Sequence, residues 1–381
     1  MPDFYEFFAG GGMVRTGLGP DWQCLFANDF DNRKAASYRA NFRDDVIRTD
    51  DVADITLANL PGRANLAWAS FPCQDLSLAG AGAGLRGDRS GTFWPFWNLM
   101  KGLASQKRPA DLIVLENVCG TLTSHNGKDF ASICRSFVDL GYSVGALVID
   151  AKLFVPQSRA RLFIVGVHEK ITIPTNLISQ GSVLRWHNKA LTTAYAKLPR
   201  NVQDEWIWWN LPSPRTRRLS LADIIEENPV HPEWFTVAEN KRLLAMMSDL
   251  NREKLRKAKS MKRRVVGGIY KRTRSDENGH KVQRAEIRFD EIAGCLRTPA
   301  GGSSRQVILI VEGDSVRARL ISARETARLM GLRDSYLLPE NYNEAYHLTG
   351  DGVVVPVVRH LAKFILEPVL DCIAKTKSMA A

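Results

Sequence analysis

No stretch of the sequence is apolar for the length needed to cross a membrane, which argues against a membrane-spanning protein. The N-terminus also lacks the basic start, apolar run and small-residue cleavage site of a secretory signal. We therefore expect a cytoplasmic protein of bacterial or phage origin. Internal repeats and low-complexity tracts are absent too. What remains is a globular chain of 381 residues, long enough for two domains.

Cysteine is scarce, and acidic residues are outnumbered. The six cysteines are scattered, and none forms a Cys-x-x-Cys pair. Because zinc sites and disulfide frameworks need clustered cysteines, we expect no metal site and free thiols in a reducing compartment. The chain has 52 Lys and Arg against 41 Asp and Glu, a net charge of +11. This excess suggests a polyanionic partner, most simply nucleic acid.

Residues 1–168 alternate strand-like and helix-like segments. Helical patterns cover residues 32–42 and 128–140. Short apolar runs of the kind that form buried parallel strands lie around them: DFYEFFAG, CLFAND, ANLAWAS, ADLIVLENV and RLFIVGV. This alternation predicts an α/β fold built on a Rossmann-like doubly wound sheet.

From about residue 170 to 290 the chain is rich in Trp, Pro and polar residues and lacks long periodic elements. Within it, residues 252–274 hold eleven Lys and Arg and one Glu. Alone, such a run is most simply a solvated helix face followed by a loop. The interleaved Met261 and Tyr270, together with the net charge, favour a nucleic-acid surface.

Regular patterns return near the C-terminus. Residues 306–313 (QVILIVEG) predict a strand, and Ser322 with Glu325 forms a capping-box pattern at a helix start. A last amphipathic helix is expected over residues 356–375, with Pro356 near its start. The chain therefore divides into a first domain at 1–170, an irregular domain at 171–292 and a return segment at 293–381 whose last helix completes the first domain.

The first chemical signal is the glycine turn FFAGGG at residues 7–12. A strand that runs through such a turn into a helix lets backbone amides approach a ligand closely, although a purely structural turn has the same pattern. A dinucleotide fingerprint needs a third glycine where Arg15 stands, which disfavours NAD. Asp29 could hold a ribose diol and Phe30 could stack on adenine. With the acids at residues 50–51, this order fits S-adenosylmethionine.

Cys73 follows another strand, in the stretch ASFPCQDLSLAG. Taken alone, it is more simply an inert core thiol than a nucleophile. Its neighbours reverse that preference, because Glu116 ends the next apolar strand and Arg159 and Arg161 precede another. Glu116 could also cap a helix, and Arg161 could pair with a phosphate or carboxylate. A thiol, a carboxylic acid and a guanidinium at strand ends form a set that can act on a pyrimidine.

These motifs, in this order, make the sequence resemble the cytosine-C5 DNA methyltransferases of restriction-modification systems over nearly its whole length. The similar segments are FFAGGG at 7–12, NDFD at 28–31, FPCQ at 71–74, GDRSGTFW at 87–94, ENV at 116–118, QSRAR at 157–161, RETARLMGL at 324–332 and GDGV at 350–353. The resemblance implies that the first domain is catalytic and binds S-adenosylmethionine. It also implies that the second domain recognises the target sequence.

The resemblance further implies a mechanism. Cys73 attacks C6 of a flipped-out cytosine, Glu116 binds N3 and the exocyclic amine, Arg161 holds the O2 side, and Arg159 supports that site or a phosphate. S-adenosylmethionine donates the methyl group to C5 and leaves as S-adenosylhomocysteine. The residues implied to contact the cofactor are Phe8, Gly10, Gly12, Asp29, Phe30, Asp51, Val52, Pro72, Phe93, Asp351 and Val353.

Contacts to double-stranded DNA are implied for a second set of residues: Gln74, Ser77, Arg86, Arg89, Asn117, Gln157, Arg263, Arg264, Arg272 and Arg297. The glycine-rich loop at 80–91 is expected to close on DNA, with a plain surface loop as the alternative. Residues 297–306 return toward the small domain and are expected to touch the DNA backbone or the target strand. We expect a monomer, associated with the nucleoid through DNA. The sequence fits both an enzyme with a cognate restriction endonuclease in the same system and a solitary or phage enzyme.

The sequence departs from the family pattern in places. Asp29 stands where Glu is usual, which keeps the carboxylate, and Asp351 stands where Asn is usual, which adds a charge. Asp51 and Val52 match the family's adenine contact with a one-residue adjustment of the loop. Two other functions stay open: a tRNA cytosine-C5 methyltransferase on the same scaffold, and a catalytically silent DNA-binding relative. The long basic region favours duplex DNA over tRNA, and the complete set of Cys73, Glu116 and the two arginines argues against a silent protein.

Overall fold

A computed structural model describes residues 1–43, 45–72, 92–275, 279–297 and 305–380, with side chains described up to residue 373. The chain divides into two compact units. Unit 1 comprises residues 1–150, 160–215 and 353–381, and unit 2 comprises residues 151–159 and 216–352. No helix in the described parts of the chain is long and apolar enough to cross a membrane.

Unit 1 is built on a sheet to which seven of the described strands contribute, in the order β3-β2-β1-β4-β5-β7-β6. The strands are β1 (Asp3–Phe7), β2 (Gln23–Asn28), β3 (Ile47–Arg48), β4 (Leu66–Ala69), β5 (Leu112–Val118), β6 (Tyr142–Asp150) and β7 (Ala160–His168). Most of their side chains are fully buried, because helices cover a mainly parallel sheet on both faces. The predicted α/β class with a doubly wound sheet is confirmed.

The helices of unit 1 lie where the sequence periodicity changes from two to 3.6 residues. The predicted segment 32–42 is a helix over that range, and 128–140 is a helix that ends one residue earlier. They are α1 (Met13–Leu18), α2 (Asn32–Phe42), α3 (Phe93–Ser105), α4 (Lys128–Asp139), α5 (Lys189–Tyr195), α6 (Arg200–Asp204), and, at the C-terminus of the chain, α12 (Val355–Leu361) and α13 (Glu367–Ala380).

Strand β7 corrects the prediction that RLFIVGV runs parallel to its neighbours. It is antiparallel to both β5 and β6. Only residues 151–159 connect β6 to β7. A parallel pair needs a crossover of a dozen or more residues, so this connection allows only an antiparallel return. As a result, the first residues of β7 lie at the same sheet edge as the last residues of β1, β4 and β5.

Unit 2 contains a second sheet of four described strands in the order β11-β10-β8-β9, all antiparallel. These are β8 (Arg264–Ser275), β9 (Lys281–Arg288), β10 (Val307–Glu312) and β11 (Ser315–Leu320). The helices of this unit are α7 (Leu221–Ile224), α8 (Val237–Ala245), α9 (Asp249–Ser260), α10 (Ala323–Leu329) and α11 (Tyr342–Asp351). One face of the sheet forms a hydrophobic core with side chains of α8 and α9.

Two expectations about regular structure in unit 2 have clear outcomes. The basic run 252–274 is not a helix face followed by a loop, because after α9 it continues as strand β8. Its second half contains Val265, Val266 and Ile269, whose branched side chains suit a buried strand. The capping box of Ser322 and Glu325 is confirmed at the start of α10.

The unit boundaries differ from the domain boundaries expected at 170 and 292. Residues 160–215 belong to unit 1, and residues 293–352 belong to unit 2. The Trp-rich segment, residues 186–209, lies against β6. Trp206 forms an isolated β-bridge with Val144, and Trp209 is fully buried. Gly145 makes this approach possible, because a Cβ there would lie 2.1 Å from the carbonyl oxygen of Ile207.

Candidate functional site

The carboxyl ends of β1, β2, β4 and β5 meet at one edge of the unit 1 sheet. The strand order reverses between β1 and β4, which is the topological switch point of the sheet. Ligands of open α/β sheets bind in the crevice outside the carboxyl ends of the strands at such a point. The amide of Ser70 donates to the carbonyl of Phe7 across this point, at 3.4 Å.

The glycine turn after β1 is tightly folded. Phe8, Gly10 and Gly12 all have positive φ angles, of 57°, 55° and 76°. A Cβ at Gly12 would lie 2.2 Å from the Phe42 ring, so α2 packs directly on this glycine. A Cβ at Gly10 would meet no atom within 4 Å. The turn therefore presents bare backbone at Gly10, on the side where a ligand could approach.

Asp29 fixes the glycine turn from the end of β2. Its Oδ2 accepts a hydrogen bond from the Gly10 amide at 2.8 Å, and its Oδ1 accepts one from the Asp31 amide at 3.0 Å. Burial raises the pKa of Asp29, and Lys34 and these amides oppose the rise. The neighbouring Phe30 ring is 68% exposed, which is unusual for an aromatic side chain. These two residues thus place a carboxyl group fixed by hydrogen bonds next to an exposed aromatic ring.

The segment that follows the third acidic position lines a cleft of about 360 Å³. Asp51 accepts a hydrogen bond from the Ala53 amide at 2.9 Å, and Val52 is buried in the cleft wall. The lining residues come from the segment after β3 and from α3: Val52, Ala53, Ile55, Thr56, Leu57, Pro95, Asn98 and Leu99. Phe93 lies behind this helix face in the hydrophobic core, stacked on Trp97 and tilted against Phe71.

The Pro-Cys segment is attached to the end of β5. Asn117 donates from Nδ2 to the carbonyl oxygen of Phe71 at 3.3 Å, and its Oδ1 accepts from the Val118 amide. Asn117 is itself buried, and its expected contact with DNA stays a prediction. Residues 71 and 72 are described and lead directly into Cys73. Five predicted site residues lie outside the described part of the chain, together with the loop at 80–91: Cys73, Gln74, Ser77, Arg86 and Arg89.

Glu116 and Arg161 form a nearly buried ion pair at this edge. In the β5–β7 register Val118 pairs with Arg161 and Glu116 with Phe163, so Glu116 and Arg161 are diagonal neighbours on one face. The Arg161 Nε lies 3.3 Å from the Glu116 Oε1, and their side chains are 17% and 8% exposed. Because β7 is antiparallel, an arginine at its start reaches a carboxylate near the end of β5.

The Cys119 thiol lies close enough to this pair to interact with both charges. Burial raises the pKa of the Cys119 thiol, and the Arg161 guanidinium only partly opposes that rise. The thiolate is the nucleophilic form, so Cys119 is poorly suited to attack a substrate. It therefore provides a matched control for Cys73.

Arg159 belongs to unit 2 and is almost completely buried. Its guanidinium donates to three carbonyl oxygens: that of Leu296 at 2.9 Å, that of Gly350 at 2.9 Å and that of Gly352 at 2.7 Å. Its donors hold the GDGV segment to residue 296. The expected part of Arg159 in the catalytic site, or in binding a phosphate, stays a prediction.

Gln157 is also buried in unit 2, with no exposed surface. Its Nε2 donates to the carbonyl oxygen of Leu329 at 2.8 Å, and its Oε1 accepts from the Leu296 amide at 3.0 Å. The expected contact between Gln157 and DNA stays a prediction. A buried amide whose two ends are both bonded supports the chain around it.

The remaining predicted residues lie at separate places. Asp351 is exposed at the end of α11 in unit 2, whereas Val353 is buried in unit 1. In unit 2, Arg263, Arg272 and Arg297 are exposed, and Arg264 is half-buried with its Nε 3.8 Å from a Glu312 oxygen. Their exposure is compatible with contact to a polyanion.

Sequence reasoning missed Glu6, which lies on β1 beneath the glycine turn with no exposed surface. Burial raises the pKa of Glu6 to about 8, although the Arg15 guanidinium and the amides of Arg15 and Val14 oppose the rise. The available signal was a single acid inside the apolar run DFYEFF. An acid in a buried strand marks either a ligand site or an internal contact, and here it faces the start of α1.

Solved structures show the class of fold to which the sheet belongs. The chain superposes on the Dnmt2 methyltransferase of S. pombe with a TM-score of 0.60 and 16% identity, covering 97% of this chain and 99% of that one. It superposes on the methyltransferase EhMeth of Entamoeba histolytica with a TM-score of 0.59 and 14% identity, covering 97% and 98%. The fold is that of these methyltransferases.

The sequence defines the family. Residues 3–367 match the C-5 cytosine-specific DNA methylases, and the protein belongs to that family, which confirms the resemblance seen in its motifs. Among curated relatives, the Type II methyltransferase M.HpaII of Haemophilus parainfluenzae is 26% identical over 381 residues, covering 96% of this chain and 89% of the relative. M.Bsp6I of Bacillus sp. (strain RFL6) is 25% identical over 377 residues, covering 97% and 100%. The protein is therefore a cytosine-C5 DNA methyltransferase.

Proposed function

We propose that the protein methylates C5 of a cytosine flipped out of duplex DNA, through a covalent bond between Cys73 and C6 and with S-adenosylmethionine as methyl donor. The observation that carries this proposal is the hydrogen bond from Asn117 to the Phe71 carbonyl at 3.3 Å. It fastens the segment that enters Cys73 beside the end of β5, the strand that carries Glu116. A nucleophile and an acid attached to adjacent strand ends suit chemistry on a single base.

The residues at the switch point suit S-adenosylmethionine. Gly10 presents bare backbone, Asp29 is the acid after β2, and the exposed Phe30 ring offers a face on which adenine can stack. Val52 lines the cleft after β3, and Asp51 precedes it in the chain. We assign the cofactor to these residues. When bound, it supplies an electrophilic methyl group on a sulfonium sulfur.

The side chains act on the base as follows. The Cys73 thiolate forms a bond to C6, which moves electron density to C5 and makes C5 nucleophilic. Glu116 binds N3 and the exocyclic amine and stabilises the charge that develops as this bond forms. Arg161 orients Glu116 and holds the O2 side. After C5 gains the methyl group, it loses its proton, the C5–C6 double bond re-forms and the Cys73 thiolate leaves.

Unit 2 is proposed to recognise the DNA sequence, because it carries most of the net positive charge of the chain. Cytosine atoms C5 and C6 cannot be reached inside a stacked duplex, so the base must leave the helix. We also propose that the protein is a monomer and acts on nucleoid DNA in the cytoplasm. The partner proposed for it is a cognate endonuclease, as in systems that protect a site by methylating it.

Trapping on a modified duplex tests the mechanism. A 5-fluorocytosine in the target site has no C5 proton to lose, so the Cys73–C6 adduct persists after methyl transfer. We expect the wild type and Cys119→Ser to form this adduct and Cys73→Ser to form none, as judged by a mass shift on denaturing gels. An adduct with Cys73→Ser contradicts the nucleophile assignment. Methyl transfer to tRNA only contradicts the DNA substrate, and no transfer to either supports a silent relative.

A further inference from the structure

The β8–β9 hairpin extends beyond the sheet of unit 2. Strand β10 pairs with β8 only from Arg264 to Ile269, whereas β9 pairs with β8 as far as Ser275. Residues 270–275 and 281–286 therefore form a two-stranded extension, called the ribbon here, in which the described pairing is between β8 and β9 alone. With about 3.3 Å per residue, the ribbon is roughly 20 Å long.

The ribbon is basic. Its described residues include one carboxylate, Glu286, against five Lys and Arg: Lys271, Arg272, Arg274, Lys281 and Arg284. In the sequence, Asp276 and Glu277 follow β8 and lie outside the described part of the chain. Even with these two acids counted, the segment from 270 to 286 keeps a net positive charge. By contrast, helix α9 offsets part of its charge locally, with Arg252 paired to Asp249 and Arg256 to Glu253.

One face of the ribbon concentrates this charge at a cost to stability. Arg272 pairs directly with Arg284 across the strands, and like charges in that position repel. Glu286 relieves part of the repulsion. Its Oε2 lies 3.4 Å from the Nε of Arg272, and its Oε1 accepts a hydrogen bond from the Nε of Arg274 at 2.7 Å. The Arg272 guanidinium also lies over the Tyr270 ring, 5.6 Å from its centre.

We propose that the ribbon enters a groove of the DNA duplex and that Glu286 holds Arg272 and Arg274 in the orientation that contacts it. This inference rests on the proposed function, since it takes duplex DNA as the substrate. The major groove is about 12 Å wide and admits a two-stranded β-ribbon. Guanidinium groups that are already held in place lose less conformational entropy when they bind. Glu286 therefore favours binding to the cognate sequence over unspecific attraction to phosphates.

The test starts by defining the target. Bisulfite sequencing of an unmethylated plasmid treated with wild-type protein gives the methylated context. A duplex with that context and one with the context scrambled then serve as binding probes between 50 and 200 mM salt. The variants are Arg272→Gln/Arg274→Gln, Arg272→Lys/Arg274→Lys and Glu286→Gln. The control is Arg135→Gln/Arg200→Gln, which removes two exposed, ion-paired arginines from unit 1.

We expect Arg272→Gln/Arg274→Gln to bind the cognate duplex at least tenfold more weakly, with the slope of log affinity against log salt smaller by about two. The lysine pair keeps that slope but loses discrimination between the duplexes. Glu286→Gln binds the scrambled duplex more tightly, so its discrimination falls at least threefold. The control pair matches the wild type in both measurements.

The glutamine pair could bind the cognate duplex with wild-type affinity and salt slope and methylate the wild-type sequence context. That result would overturn the ribbon proposal and leave the proposed function intact. Full discrimination by the lysine pair would overturn it as well, which covers the case in which the glutamine pair does not fold. A wild-type protein that methylates tRNA and no plasmid would overturn the proposed function and, with it, the duplex as the occupant of the ribbon.

Discussion

The Arg161 guanidinium lies 3.3 Å from the Glu116 carboxylate across β5 and β7, and both side chains are nearly buried. Removing one member of such a pair leaves the other charge in a site of low polarity. The pair thus has two consequences, one for stability and one for catalysis, and different substitutions separate them.

Arg161→Ala is expected to lower the free energy of unfolding by about 3 kcal/mol, because Glu116 then stays buried without its cation. Glu116→Gln keeps the shape of the side chain and removes the charge. We expect it to lower the methylation rate at least 100-fold. Urea unfolding and a methyl-transfer assay measure the two effects. The double variant Glu116→Gln/Arg161→Met is the control, and it should be more stable than Arg161→Ala. Equal stability would show that the unpaired charge is not the cause.

Glu6 predicts a pH dependence of stability. Its pKa is raised from 4.5 to about 8 in the folded protein, so the folded state holds a proton that the unfolded state releases. The stabilising effect is complete below pH 4.5 and is lost as the pH rises through 8, by at most about 1.4 kcal/mol per unit. Glu6→Gln should remove this decline. Unfolding at pH 6, 7, 8 and 9 tests it, and parallel curves for the two proteins would contradict the assignment.

Gly12 and Gly10 provide a matched pair in one turn. Both have positive φ angles, but only a Cβ at Gly12 would collide, with the Phe42 ring at 2.2 Å. We expect Gly12→Ala to lower the melting temperature strongly, because α2 must move, and Gly10→Ala to cost only about 1 kcal/mol of backbone strain. Gly10→Ala should instead weaken S-adenosylmethionine binding, measured by calorimetry. A larger loss of stability at Gly10 than at Gly12 would contradict this division.

Gln157 provides a test of whether its side chain acts as an internal contact. Gln157→Ala leaves the Leu329 carbonyl and the Leu296 amide without partners, which is expected to cost about 2 kcal/mol. Because the side chain is buried, the affinity of the folded variant for DNA should stay that of the wild type. Binding isotherms with a DNA duplex measure this affinity. A loss of about tenfold or more in the folded variant would support Gln157 as a DNA contact.

The sequence predicted much of unit 1, because its signals are local. Apolar runs predicted the positions of five strands, β1, β2, β4, β5 and β7, although the direction expected for β7 was wrong. Helical periodicity predicted α2 and α4, and the run of glycines predicted the turn after β1. The direction of β7 depends on how far residues 151–159 can reach, which no apolar pattern reports. The roles of Asn117, Gln157 and Arg159 depend on carbonyl groups that come from distant parts of the chain. The identity of a polar residue in a motif does not show whether its side chain contacts a ligand or another part of the protein.

Unit 2 was harder to predict, because its strands β8 and β9 contain many basic residues. The charge density of residues 252–274 concealed the strand pattern of Val265, Val266 and Ile269.

In unit 1, the Trp-rich segment looked irregular because its order comes from contact with β6 at Gly145 and not from periodicity of its own. A tertiary contact of this kind leaves no local pattern in the sequence.

The boundary between the units has a practical consequence for building chimeric enzymes. Unit 2 is assembled from two insertions, residues 151–159 and 216–352, and the first of them lies between adjacent strands of unit 1. An exchange that replaces only the long segment would leave Gln157 and Arg159 of the old protein to support the carbonyls of the new one. A recognition module with a different target therefore has to be transplanted as two matched pieces, and the nine-residue piece is the one that a sequence alignment would most easily leave behind.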